Sequence, residues 1–69
     1  MADSMGSRIR LTRRIANLPQ HVIARKIGRS PAWLSLVEQD ALTPTVTDIE
    51  NIAAALDISV TDLIGRGTP

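Results

Sequence analysis

Seven of the eight basic side chains in the 69-residue chain, Arg8, Arg10, Arg13, Arg14, Arg25, Lys26 and Arg29, stand in its first thirty positions. Asp3 is the single acid there, so this stretch has a formal charge of +6. From residue 31 onward Arg66 faces Glu38, Asp40, Asp48, Glu50, Asp57 and Asp62, a charge of −5, which leaves the chain at +1. Guanidinium groups bind phosphate through paired N–H donors, so the basic part invites a polyanion. The same cations would serve equally as a solvated helix face paired with the acidic part. Catalytic chemistry has little to work with. His21 has no cysteine or carboxylate at ligand spacing, the chain has no Cys, and no nucleophile–base set or phosphate-binding glycine loop can be assembled. These residues point to binding, with no enzyme activity, no metal and no cofactor expected.

Charges become a surface only where folded elements gather them. With 43% apolar residues the chain describes one small domain with a marginal core, since about 60% of the unfolded surface is buried at this size. No apolar run approaches the roughly 20 residues needed to span a bilayer, and the expected setting is soluble and cytoplasmic. Strand signals are nearly absent, and Trp33 is the one aromatic residue. A first helix is predicted over residues 8–17, where Ile9, Leu11, Ile15 and Leu18 leave one basic face. A second over 20–27 carries Ile23, Ala24 and Ile27 and stops at Gly28, which takes the left-handed conformation most readily. Ser30 as N-cap and Pro31 at the first helical position open a third helix to about residue 39, with Leu34 and Val37 inward and Leu36 on another face. Thr47 and Glu50 read as a capping box for a fourth helix bearing Ile49, Ile52, Ala53 and Leu56. Ser59 and Asp62 repeat the device for a short fifth helix with Leu63 and Ile64. The predicted fold is all-α, a compact five-helix domain over residues 8–64. Residues 1–7 read as a disordered segment or expression remnant, and residues 65–69 as a tail or the start of a linker.

The most informative segment runs from Gln20 to Val37. Two helices crossing over a three- or four-residue turn need a small residue at the crossing, Gly in the turn and apolar anchors on the second helix. Counting Gln20 as first, Ala24 is fifth, Gly28 ninth, and Leu34 and Val37 fifteenth and eighteenth. At these residues the chain resembles the lambda Cro/repressor-like helix-turn-helix family (the XRE family). Gln20-His21-Val22-Ile23-Ala24-Arg25-Lys26-Ile27-Gly28 is similar to that family's second helix and turn, and Trp33-Leu34-Ser35-Leu36-Val37-Glu38 to its recognition helix. Pro44 and the pattern Ile49, Ala53, Leu56, Ile58, Ser59 and Leu63 extend the resemblance downstream.

The resemblance implies a Cro/C1-type repressor or other sequence-specific transcription regulator that binds double-stranded DNA as a homodimer. Gln20, at the start of the second helix, would contact a phosphate, with Arg8, Arg10, Arg14 and Thr43 as further phosphate candidates and Arg25 as a possible addition. The recognition helix would enter the major groove with Pro31, Ala32, Trp33, Ser35 and Leu36 outward and Arg29 and Ser30 at its entry. Arg13 and Glu38 occupy the positions of the family's ion pair between the first helix and the recognition helix. Leu56, Ile58, Val60 and Ile64 are the candidate dimer contacts.

Two features depart from the family. The outward face of the recognition helix is largely apolar, which suits thymine methyls and the shape of DNA more than hydrogen-bonded base edges. Asp40 stands where the family prefers Gly. An alternative therefore keeps the fold and makes Ala32, Trp33 and Leu36 a docking face for a protein partner, as in an antitoxin or anti-regulator.

Overall fold

The computed structural model describes residues 4–64, which form five helices and, among the described residues, no strand. In chain order these are α1 (Met5–Ile15), α2 (Gln20–Lys26), α3 (Pro31–Glu38), α4 (Val46–Ala55) and α5 (Val60–Ile64). Residues 1–3 and the proposed tail at 65–69 lie outside the described residues.

The first helix begins three residues earlier than the periodicity indicates, and Met5–Ser7, read as lying ahead of the domain, are its first turn. Ser4 starts it: its Oγ accepts from the Ser7 N–H at 3.1 Å and satisfies one of the orphan amides of a helix start. Gly6 is buried in that turn. A Cβ on it would collide with the carbonyl oxygen of Val37 and stand 2.6 Å from that of Glu38. The helix therefore reaches the end of α3 at a distance only Gly permits. This approach sets which face of α1 turns inward. Ile9 is fully buried, while Leu11, about 200° further round the helix, is 61% exposed and Ile15 76% exposed. Both were expected on the core face and neither reaches it.

Ser30 caps α3 through the Trp33 N–H at 3.1 Å, with Pro31 at the helix start. The capping box of α4 sits two residues ahead of the predicted one. Thr45 Oγ1 accepts from the Asp48 N–H and Asp48 Oδ2 from the Thr45 N–H, each at 3.0 Å, whereas Thr47 and Glu50 are exposed. Ser59 caps α5 through the Asp62 N–H at 3.0 Å.

Each of the first four helices ends in the same way. Asn17, Gly28, Asp40 and Asp57 have φ of 62°, 72°, 61° and 60°, and the next residue turns its N–H back onto the helix. These bonds are Leu18 to Arg13 O, Arg29 to Ala24 O, Ala41 to Leu36 O and Ile58 to Ala53 O, all between 2.8 and 3.1 Å. They are Schellman closures. Each stops the helix and sends the chain off at a fixed angle, which suits a bundle of short helices joined by short turns.

The core consists of Ile9, Ile23, Ala24, Leu34, Val37, Ile52, Ala53, Leu56 and Leu63. Leu56 was read as a dimer contact and is 5% exposed, packed inside its own chain. α1 packs on both α3 and α5, and α2 on α3 and α4.

Candidate nucleic-acid interface

The turn between α2 and α3 places its residues as a helix-turn-helix requires. Ala24 is fully buried where the two helices meet, Leu34 and Val37 anchor α3 from below, and Gly28 takes the left-handed conformation in the turn. α3 is thereby held with one face outward. Pro31 and Ala32 are exposed on it, and Leu36 is 43% exposed.

Two of the outward candidates sit deeper than expected. Trp33 is half-buried and packs against the core. Ser35 is also half-buried, and its hydroxyl accepts from Gln39 Nε2 at 2.8 Å. Gln39, exposed one residue beyond α3, was not singled out from the sequence. Its four-residue spacing from Ser35, one helical turn, was the available signal.

Arg13 and Glu38 form a two-pronged ion pair joining α1 to α3, Nε to Oε2 at 2.7 Å and Nη2 to Oε1 at 3.0 Å. The remaining Arg13 nitrogen, Nη1, donates to the Leu18 carbonyl at 2.8 Å. The side chains are 12% and 3% exposed. Gln20 joins this group, its Nε2 donating to Glu38 Oε1 at 3.0 Å. The side-chain amide expected on a phosphate is thus turned toward a buried carboxylate of its own chain, which needs hydrogen-bond donors.

Arg29 behaves similarly. Its Nη2 donates to Asp48 Oδ1 at 2.9 Å, and its guanidinium lies 4.6 Å from the centre of the Trp33 ring. Asp48 was not singled out as a site residue. The Thr45-x-x-Asp48 spacing, matching a capping box, would have flagged it. The Thr45 amide, followed by Arg29, holds its carboxyl below the ordinary 3.8 against the opposing effect of burial.

Arg10 and Arg14 are exposed on α1 and form no ion pair among the described residues. They line an open cleft of about 410 Å³ with Gln20, Ser35, Gln39 and the Arg13–Glu38 pair. With one carboxylate and three guanidinium groups the cleft is positively charged. Arg8 is half-buried on α1, and Thr43 is exposed in the loop after α3. Of the remaining dimer candidates, Ile58 is half-buried, while Val60 and Ile64 are 37% and 43% exposed. No group of residues that could hold a metal ion occurs among the described residues, and no described helix is long and apolar enough to cross a membrane.

Five helices with a buried Ala24, a left-handed Gly28 and an outward α3 define a helix-turn-helix domain of the lambda Cro/repressor type. The helix-turn-helix domain family matches residues 4–63, and the chain belongs to it. It is 32% identical over 65 residues to the immunity repressor protein of Bacillus phage phi105, an alignment covering 94% of this chain and 45% of that protein. The chain thus spans about half the length of this curated relative. In structure it is similar to the P22 c2 repressor, solved in complex with synthetic operator 9T in the presence of Tl+. The TM-score is 0.80 at 26% identity, over 90% of this chain and 94% of that one.

Proposed function

We propose that this domain binds DNA sequence-specifically and regulates transcription as a repressor does, by occupying an operator. The observation that carries the reading is the pairing of two surfaces. α3 presents Ala32 and Leu36 to solvent, and its Ser35 lines the cleft that Arg10 and Arg14 share. Placed in the major groove, the apolar face would meet thymine methyl groups, with the Ser30 and Pro31 turn at the entry. Arg10 and Arg14 would neutralise flanking phosphates, with Arg8 and Thr43 as outer contacts. The similarity to a repressor solved on operator DNA supports the same reading.

A single α3 contacts few base pairs, so binding as a twofold dimer in the cytoplasm is part of the proposal, with Val60 and Ile64 the exposed apolar candidates. Docking of a protein partner through Ala32, Trp33 and Leu36 is the second reading, and the similarity to phage repressors favours DNA over it.

The test is selection of bound duplexes from a random library, followed by anisotropy titration of the enriched duplex across a salt series. The expected result is an affinity that falls with log salt and whose slope decreases by about 0.9 for each of Arg10→Gln and Arg14→Gln. Flat binding near the non-specific range of about 10⁻⁴ to 10⁻⁶ M would overturn the proposal.

A further inference from the structure

Arg29 lies in the turn that leads into α3, with one guanidinium nitrogen and one guanidinium face engaged. The edge donates to Asp48 Oδ1 at 2.9 Å, and the face covers the Trp33 ring at 4.6 Å. Asp48 is itself fixed, because its other oxygen and its backbone N–H close the capping box of α4 with Thr45. Trp33 sits in the first turn of α3, its N–H given to Ser30 Oγ. A continuous chain of contacts, Thr45 to Asp48 to Arg29 to Trp33, thus runs from the start of α4 to the start of α3. To turn Nη2 toward a base or phosphate, Arg29 would have to break its bond to a carboxylate that is 11% exposed, although the Arg29 side chain is itself 44% exposed.

We infer that Arg29 is a positioning residue: clamped by Asp48, it sets the indole of Trp33 at the entry of α3, and Trp33 so held determines sequence selectivity. The inference rests on the proposed DNA binding and deepens it. A planar guanidinium stacks on an aromatic face in a way an ammonium does not, so the geometry of Arg29, beyond its charge, is what orients the ring. Affinity and selectivity then have separate sources. Arg10 and Arg14 supply the salt-dependent part, and Arg29 supplies selectivity without neutralising a phosphate.

The experiment compares wild type with Arg29→Gln, Arg29→Lys, Asp48→Asn and the Arg29→Gln/Asp48→Asn double variant, each first checked for helical content. Asn at position 48 offers one acceptor oxygen where Asp offers two, so Thr45 and Arg29 must compete for it. Two quantities are read. The first is the ratio of affinities for the duplex enriched by wild type and for a scrambled duplex, across a salt series. The second is the time-resolved anisotropy of Trp33, the single Trp of the chain, in the free protein. Each single variant is expected to lose roughly tenfold in the affinity ratio, about one base pair's worth of discrimination, with the salt slope unchanged and a faster ring motion. The double variant should be no worse than either single, because both break one chain of contacts. A slope reduced by about 0.9 in Arg29→Gln alone would show Arg29 on a phosphate and overturn the inference. Unchanged ring motion in the free variants overturns it whatever the DNA does. A wild type that enriches no duplex overturns the DNA-binding reading and this inference with it, so the two failures are distinguishable.

Discussion

The backbone N–H of Gly6, in the first turn of α1, donates to Oδ1 of Asp40, the residue that closes α3, at 3.1 Å. The positive end of one helix dipole thereby meets the negative end of another. An amide that would have no partner inside its own helix finds one 34 residues away. Asp40 stands at a left-handed position that the family gives to Gly, and its carboxylate makes a bond that Gly has no side chain to make.

Gly6→Ala is accordingly expected to destabilise the domain, by about 1–3 kcal/mol as an overpacked contact. In an open helix interior the same change stabilises by nearly 1 kcal/mol. The Val37 and Glu38 carbonyls that the new methyl would meet belong to backbone, so they have little room to retreat. Urea denaturation read by far-UV circular dichroism gives the sign.

Removing either half of the Arg13–Glu38 pair should cost more. Arg13→Met leaves the Glu38 carboxylate, 3% exposed, with Gln20 as its remaining side-chain donor. A loss of about 3–5 kcal/mol is expected, comparable to the whole stability of a small domain. Replacing both residues by Met and Leu should recover much of that loss. A thermal melt of the single and double variants checks both statements.

Asp48 makes stability depend on acid. Its folded value lies below the ordinary 3.8, held there first by the Thr45 amide and then by Arg29. A group depressed in this way contributes fully above its unfolded value, and the contribution is lost as pH falls through the folded value. Stability measured from pH 6 down to pH 2 should decline below about pH 4 in wild type, and Asp48→Asn should flatten that part of the curve. An unchanged acid limb would remove Asp48 from the account.

The helix ends yield a fourth expectation. Asp57 takes φ of 60°, whereas Gly28 takes 72° at no steric cost. An L-residue in this region costs about 1–2 kcal/mol, and Gly returns part of that in the unfolded chain. Asp57→Gly should therefore raise stability by several tenths to about 1 kcal/mol, and Gly28→Ala should lower it by about 1 kcal/mol. Denaturation midpoints at constant slope decide each.

What could be read in the sequence was what neighbours in the chain decide. Ala24, Gly28, Leu34 and Val37 announce the crossing of α2 and α3 because the helices are adjacent and the turn is short. Ser30-Pro31 announces the start of α3 for the same reason. What escaped was set by distant partners. Met5-Gly6-Ser7 has no local mark of a helix that must approach residues more than thirty positions on. Thr45-x-x-Asp48 and Thr47-x-x-Glu50 are equally good capping boxes locally, and the former gains Arg29 from across the fold. Gln20 was read toward a phosphate and Arg29 toward the groove, and each also donates to a buried carboxylate of the same chain, a partner that local sequence does not mark. Leu11 and Ile15 fit an apolar periodicity whose phase Gly6 settles differently.

The packing of α1 on α5 joins the first and last helices of the described chain. α1 also grips the end of α3 through Gly6 and Arg13, so α3 cannot fray by itself: releasing it means lifting α1 away, which uncovers α5 as well. The amides of all three helices should then exchange with deuterium at one common rate, the rate of opening the whole domain. Contacts of such long sequence separation also carry a larger loop-closure cost than those of the α2–α3 hairpin. In this arrangement the helix proposed to read DNA owes its persistence to α1 and, through it, to α5, so cutting into either of these helices would loosen α3 as well.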